Sequence, residues 1–411
     1  WNQVENSLPE LKSLSSQLTS YTTWQQMSAT SANAAVVGIE ADSSAAEGTY
    51  SAVVSKLAQS HRVGSDAQTS ATAALGLEGT FTIGGQEIAV TADQSLENLR
   101  DAINLASLAM DDGQAVKASI VDTTLVLTRV ATGATEISLA DGGGDVLEAL
   151  GILDAGKTVK NELVAAQNLE AKILGIDIVR ASNSDITDVI AGATLDFTGE
   201  GTATFTIERD RDTLKSLITD FVAKYNSTME MIEAQGASSV TGGEDVETAT
   251  LSGDALLRSI QSRGRTLLTS SDDTDTLDNA LDSLRKIGIW TTGKENRLAI
   301  TDSAALDDAL ENDFEAVESL FRDYDAGIMR KYDDYLRSLT AAADGSINRH
   351  QQGLQDKIDR YDATIANMER RLVSYEEQLW KKYAAAETII ASLQSQADYV
   401  TSLFTQKSSE D

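Results

Sequence analysis

Residues 353–383 read GLQDKIDRYDATIANMERRLVSYEEQLWKKY. Their apolar positions are Leu354, Ile358, Tyr361, Ile365, Met368, Leu372, Tyr375 and Leu379, in alternating steps of four and three. A repeat averaging about 3.5 residues keeps one side of an α-helix apolar and predicts a coiled-coil seam. After Leu379 the step is again four, to Tyr383, and the stripe runs on through Ala386, Ile390, Leu393, Ala397, Val400 and Phe404. Two fours in succession give a local eleven-residue period, which relaxes the left-handed supercoil. Such a stripe requires a covering partner, from this chain or from another.

The opposite end offers one. Residues 7–33, SLPELKSLSSQLTSYTTWQQMSATSAN, open with a Ser-x-x-Glu pattern, Ser7 with Glu10, that reads as a capping box with Pro9 in the first turn. Leu8, Leu11, Leu14, Leu18, Tyr21 and Trp24 follow at helical steps and predict a helix of about four turns or more. From Tyr50, Ala52 and Val54 the period is two, a strand pattern.

The middle repeats a hairpin, cap and helix. Phe81 and Ile83 precede a Gly84-Gly85 turn and Ile88 and Val90 follow it, with Asp93 as cap for a helix buried through Leu96, Leu99 and Ile103. Phe205 and Ile207 lead to Asp210 and Asp212 as cap candidates and to an apolar face of Leu214, Leu217, Ile218, Phe221, Val222 and Tyr225. Ile287 and Ile289 pair with Leu298 and Ile300, Asp302 caps, and Leu306, Leu310, Phe314, Val317 and Phe321 line one helix. The expected fold class is α+β and multidomain: an antiparallel helical or coiled-coil leg from both chain ends, paired through the N-terminal helix and the seam, carrying two β-rich α+β head domains. The expected divisions are 1–47 for the N-terminal part of the leg, 48–75 and 161–235 for an inner head domain, 76–160 for an inserted outer head domain, and 236–411 for the rest of the leg.

Composition narrows the partners. The 411 residues hold 64 acidic and 33 basic side chains, a net charge of −31, which repels phosphate backbones and anionic lipid headgroups. No nucleic acid and no membrane insertion are expected, since no apolar run approaches the ~20 residues that cross a bilayer. Cysteine is absent, removing disulfides, thiolate nucleophiles and Cys-ligated metal. The chain opens on Trp1 with no basic-then-apolar segment, and a native N-terminus is read as removed.

A search for chemistry finds little. His61 falls in a strand pattern and His350 before the long helix, and neither has a histidine at metal-ligand spacing. The acidic run at 271–282 fails as an EF-hand, because Asp273 as its first position would demand glycine at Asp278 and glutamate at Leu284. Asp272, Asp273 and Asp275 read instead as first-turn acids of a helix through Leu277, Leu281 and Leu284. The Asp141–Asp145 stretch, DGGGD, matches no nucleotide fingerprint and reads as a flexible hairpin tip. No enzyme and no cofactor are expected.

Several motifs in order nevertheless resemble one family. LRKIGI (284–289), RLAITDSAALDDALENDFEAVESLF (297–321) and IDRYDATIANMERRLVSYEEQL (358–379) resemble the C-terminal region of the bacterial flagellar filament cap proteins, FliD or hook-associated protein two. YSAVVSKLAQSHRVGS (50–65), SLENLRDAIN (95–104) and IDIVRASNSDITDVIAGATLDF (176–197) are similar to its N-terminal half. The ends depart, appearing shortened against the family's further helical segments. The resemblance implies a secreted, extracellular protein at the flagellum tip. It implies a homo-oligomeric ring, a pentamer or hexamer, that promotes ordered insertion of exported flagellin and is served by a flagellar export chaperone and the export apparatus. Its alternative is a flagellum-associated adhesin whose head domains bind host mucin, other glycans or surface receptors. Leg packing and interface residues are expected at Leu354, Ile358, Tyr361, Ile365, Met368, Leu372, Tyr375, Leu379, Tyr383, Ile390 and Leu393.

Overall fold

The computed structural model describes residues 1–111, 113–240, 246–271, 281–292 and 297–407. The chain divides into two units, one of Trp1–Thr19 with Leu217–Asp411 and one of Ser20–Ser216. Both chain ends therefore belong to one unit and the middle to the other.

In the first unit the N-terminal helix spans Asn2–Leu18 and buries Val4, Leu8, Leu11 and Leu18. It starts at Asn2, nearly two turns before the place that the capping-box reading gives it. Ser7 lies inside it, its hydroxyl donating to the Val4 carbonyl at 2.7 Å, and Pro9 is interior rather than in the first turn. Tyr21 and Trp24 belong to a separate short helix, Tyr21–Trp24. The N-terminal helix runs antiparallel to the helix Arg211–Gly236, with Glu10 ion-paired to Lys224 and the Ser7 carbonyl accepting from Thr228 at 3.4 Å. It also packs on the helix Ile328–Thr340, where Asp333, 1% exposed, accepts from Ser16 at 2.8 Å and from Arg337 Nε at 2.6 Å. Phe221, Tyr225 and Tyr332 meet at ring-centroid separations of 5.7 to 6.4 Å at the centre of this packing. Burial pushes the phenols of Tyr225 and Tyr332 well above their ordinary range.

The hairpin-helix segment of this unit follows its expectation with two corrections. Ile289 pairs with Ile300 and Asp302 caps the next helix by accepting from Ala305 N–H at 3.0 Å, but Ile287 sits in a 3-10 turn, Leu284–Ile287, ahead of the strand. The single helix expected from Leu306 to Phe321 is two, Ser303–Asn312 and Phe314–Arg322, broken at Asp313. All five apolar positions read from the sequence are buried across that break. The helix read through Leu277 lies mostly outside the described residues; Leu281 is not helical and Leu284 opens the 3-10 turn.

The second unit holds two hydrophobic cores. One lies under a five-stranded antiparallel sheet ordered Met27–Ser31, Gly201–Arg209, Gly48–Lys56, Leu169–Ile173 and Ile176–Arg180, with the pair Val37–Ala41 and Ala193–Phe197. The alternation read from Tyr50 is the central strand of this sheet, and Tyr50 stacks on Phe205 at 5.4 Å. Residues 20–47, assigned to the leg by their sequence, contribute two strands here: Met27 pairs with Arg209 and Val37 with Phe197. The runs MSATS and VGIEA are too short for their alternation to mark strands without their partners. Conversely, residues 217–235 leave the expected inner head because one uninterrupted helix, Arg211–Gly236, carries the chain out of it.

The other core is built by residues inserted between strands of the first. It takes a sheet of Glu162–Val164, Arg62–Gly64, Thr124–Arg129 and Val116–Val121, a sheet of Gln86–Val90, Gly79–Ile83 and Leu139–Asp141, and the helix Leu96–Ser107. The Gly84-Gly85 turn has φ of +58° and +83°, the left-handed pair that a tight hairpin requires. Leu96, Leu99 and Ile103 are buried as read, but the cap is Ser95, in a reciprocal box with Asn98, rather than Asp93. Asp93 accepts from Thr91 Oγ1 at 2.7 Å instead, which lowers its carboxyl below the usual range.

Candidate assembly surface

The stripe that opens the sequence reading lies on one helix, Ser346–Lys407, of 62 residues. At ~1.5 Å per residue it is about 93 Å long. Its first turns are held by the rest of the first unit. His350, inside this helix rather than before it, lies at 2.8 Å from Asp254 and meets the Trp1 ring at a centroid distance of 5.0 Å. Asp254 in turn caps the helix Ala255–Thr269 through Leu256 and Leu257 N–H. Burial works to raise its carboxyl, but the hydrogen bonds from His350 and the two amides outweigh it and the group is lowered. Gln351 reaches Asn2 and Glu5 at 3.3 Å.

Beyond these turns the stripe faces solvent. Ile358, Tyr361, Ile365, Met368, Leu372, Tyr375, Tyr383, Ile390 and Leu393 are all exposed, Leu372 at 67%, while Leu354 and Leu379 are half-buried. The N-terminal helix does not cover the seam as the sequence reading expects. It spends its one apolar face on the helices Arg211–Gly236 and Ile328–Thr340 and touches the long helix only at its start. Sequence reasoning also passed over Trp380, Val373, Ile389, Tyr399 and Leu403, exposed apolar residues on the flanks of the stripe. The signal was present in their adjacency to seam positions.

His61 and the Asp141–Asp145 stretch, both singled out in the sequence, have structural roles. His61 is buried, its Nδ1 accepting from Ile137 N–H at 2.9 Å and its Nε2 lying 3.2 Å from Glu162. Asp141 to Asp145 is not a loose tip. The Asp141 carboxylate accepts from Leu147 and Glu148 N–H at 2.6 and 3.1 Å, opening the short helix Val146–Ala149. Gly142 N–H donates to the Thr80 carbonyl at 2.8 Å, which holds the glycines against the strand Gly79–Ile83. The Lys157 ammonium sits among Asp145, Glu148 and Asp141 at 2.6, 2.7 and 3.2 Å, and its hydrogen bonds, first to Asp145 and then to Glu148, raise it above the ordinary lysine range. These carboxylates thus already enclose a cation of the chain's own.

With no reactive constellation in these features, the exposed stripe is the candidate functional surface among the described residues. The family described as Flagellar hook-associated protein 2 C-terminus matches residues 166–395, and its N-terminus counterpart matches residues 1–61. The chain belongs to the flagellar hook-associated protein 2 family. The interval between the matched segments, 62–165, is the stretch that builds the inserted core, so the hook-associated protein 2 pattern covers the helical unit and the five-stranded sheet. The B-type flagellar hook-associated protein 2 of Pseudomonas aeruginosa is 28% identical over 404 residues, covering 93% of this chain and 83% of its own length. The Salmonella typhimurium flagellar hook-associated protein 2 is 29% identical over 329 residues, 76% of this chain and 67% of that one. The crystal structure of the D1-D2-D3 domains of the flagellar cap protein FliD from Escherichia coli superposes with a TM-score of 0.60 at 25% identity, covering 86% of this chain and 98% of that one. The mixed helix and sheet architecture is that of this hook-associated protein 2 structure.

Proposed function

We propose that the protein is a structural cap at the distal, extracellular end of the bacterial flagellar filament, a homo-oligomer that promotes ordered insertion of exported flagellin. In this reading the unit made from both chain ends is the leg and the two β-rich cores of the middle are the head domains. The observation that carries it is the exposed apolar stripe on the long helix of a chain of this family: a surface left bare by its own fold has value only in an assembly. The role is mechanical, positioning subunits, and needs no catalytic group. The candidate packing residues from Leu354 to Leu393 are where the chain would meet its neighbours.

Immunogold electron microscopy with antibody against residues 50–235 tests the reading on intact cells. Label confined to filament tips, with free flagellin in the medium when the protein is deleted, is the expected result. Label along the filament or scattered over the cell surface would replace the cap with an adhesin or another filament component.

A further inference from the structure

The two cores of the second unit have no residue in common, so they are joined by the chain that runs between them. Residues 57–61 lead out of the first core and 165–168 lead back. They pair at Gln59 and Gln167, whose backbone amides and carbonyls exchange hydrogen bonds of 2.8 and 3.3 Å. A short two-stranded ribbon has little stability of its own, so it ties the cores together without setting the angle between them.

That angle is set by the loop 131–134, which the inserted core sends back across the connector. Thr132 Oγ1 donates to the Ala181 carbonyl at 2.5 Å, Gly133 N–H to the Gln59 carbonyl at 3.2 Å and Ala134 N–H to Asn168 Oδ1 at 2.7 Å. Ala181 directly follows the strand Ile176–Arg180 and Asn168 directly precedes Leu169–Ile173, both in the five-stranded sheet. Gly133 has φ of +106°, and a Cβ there would come 2.8 Å from the Ala181 Cβ, so only glycine permits this approach. The loop takes its shape from Arg129, which is 6% exposed and pairs with no carboxylate among the described residues. Its Nη1 donates to the Ala131 and Thr132 carbonyls at 3.2 and 2.9 Å, while Nε and Nη2 both donate to the Gly113 carbonyl, at 2.9 and 2.7 Å. A planar fork of fixed donors holds two chain segments at once, which the point charge of a lysine does not reproduce.

We infer that the loop 131–134 is a latch: closed, as here, it makes the two cores one body, and open, it lets the inserted core swing on its connector while both cores stay folded. Arg129 is the positioning residue that keeps the loop in its closed shape. Three hydrogen bonds across the joint, each modest in net terms, leave the open form at roughly 0.1–10% of the molecules. The latch rests on this joint alone and holds whether or not the protein caps filaments.

The absence of cysteine lets two spin labels be placed by substitution, Thr49→Cys in the five-stranded sheet and Leu105→Cys in the inserted core, both at exposed positions. Double electron–electron resonance on the full chain then reads the distance between the cores. The parent gives one dominant distance, and Arg129→Met broadens it into a distribution. Gly133→Ala does the same by wedging the loop off Ala181, and it leaves Arg129 in place. Amide exchange at Gly133 and Ala134 rises about tenfold or more in both variants, while that at the buried Leu127 and Val54 is unchanged. A distance and an exchange pattern that neither substitution alters refute the latch. Protection lost at Leu127 as much as at Gly133 makes Arg129 part of the inserted core's own stability, and overturns its assignment as the fastener.

Discussion

Leu11→Ala and Leu372→Ala are the same chemical deletion in two helices and should have opposite consequences. Leu11 is 0% exposed in the N-terminal helix, so truncation removes its transfer free energy and leaves a cavity. The cost is about 2–5 kcal/mol, borne by the first unit. Leu372 is 67% exposed, so truncation changes little that the folded chain has buried, and alanine is the better helix former. Its effect on the stability of the isolated chain should stay within about 0.5 kcal/mol. Association is another matter. Full burial of a leucine is worth roughly 1.5–3 kcal/mol, of which about two thirds remains to be gained at this site, or ~1–2 kcal/mol per helix. An assembly that covers this site weakens by that amount for each leucine truncated, roughly 5-fold to 30-fold. Denaturant titration and sedimentation of both variants separate the effects. A Leu372→Ala chain that loses several kcal/mol of stability, or one that associates as well as the parent, would refute the assignment of the stripe to an interface.

Five further substitutions probe the inserted core. Gly144 has φ of +92° and a Cβ there would run into the Glu78 carbonyl oxygen, whereas a Cβ at Gly143 meets nothing. Gly144→Ala should therefore cost roughly 1–3 kcal/mol in denaturant titrations and Gly143→Ala almost nothing. Ser95→Ala, which removes the helix cap, should cost about 1 kcal/mol, and Asp93→Ala clearly less. Because Lys157 is raised in the fold, its contribution is fully present below the ordinary lysine value of about 10.4 and is lost as pH climbs through the raised one. The thermal-midpoint gap between the parent and Lys157→Met should thus be level from pH ~7 to ~10 and narrow above that; a gap that stays level into stronger alkali would contradict it.

What could be read from the sequence was whatever local periodicity and turn chemistry decide. The hairpin around Gly84-Gly85, the faces of Leu96 to Ile103 and of Leu306 to Phe321, and the cap at Asp302 depend on residues a few positions apart. The misses needed longer-range information. Two acceptors stand close together before Leu96, and Ser95 wins because Asn98 completes a reciprocal box while Asp93 turns to Thr91. The DGGGD stretch looked loose because its packing surface, the strand Gly79–Ile83, is some sixty residues away in sequence. Strands at Met27–Ser31 and Val37–Ala41 are legible only once their partners after residue 190 are known.

The long helix marks the same boundary within a single element. Apolar steps of three and four state that one face of Ser346–Lys407 must be covered, and they do so for an intrachain bundle and for an intermolecular seam alike. The fold removes one candidate: the helix Asn2–Leu18 has one apolar face, with Val4, Leu8, Leu11 and Leu18 on it, and that face is already buried against other helices. Periodicity supplies the need for a partner, and burial removes the helix Asn2–Leu18 from the candidates.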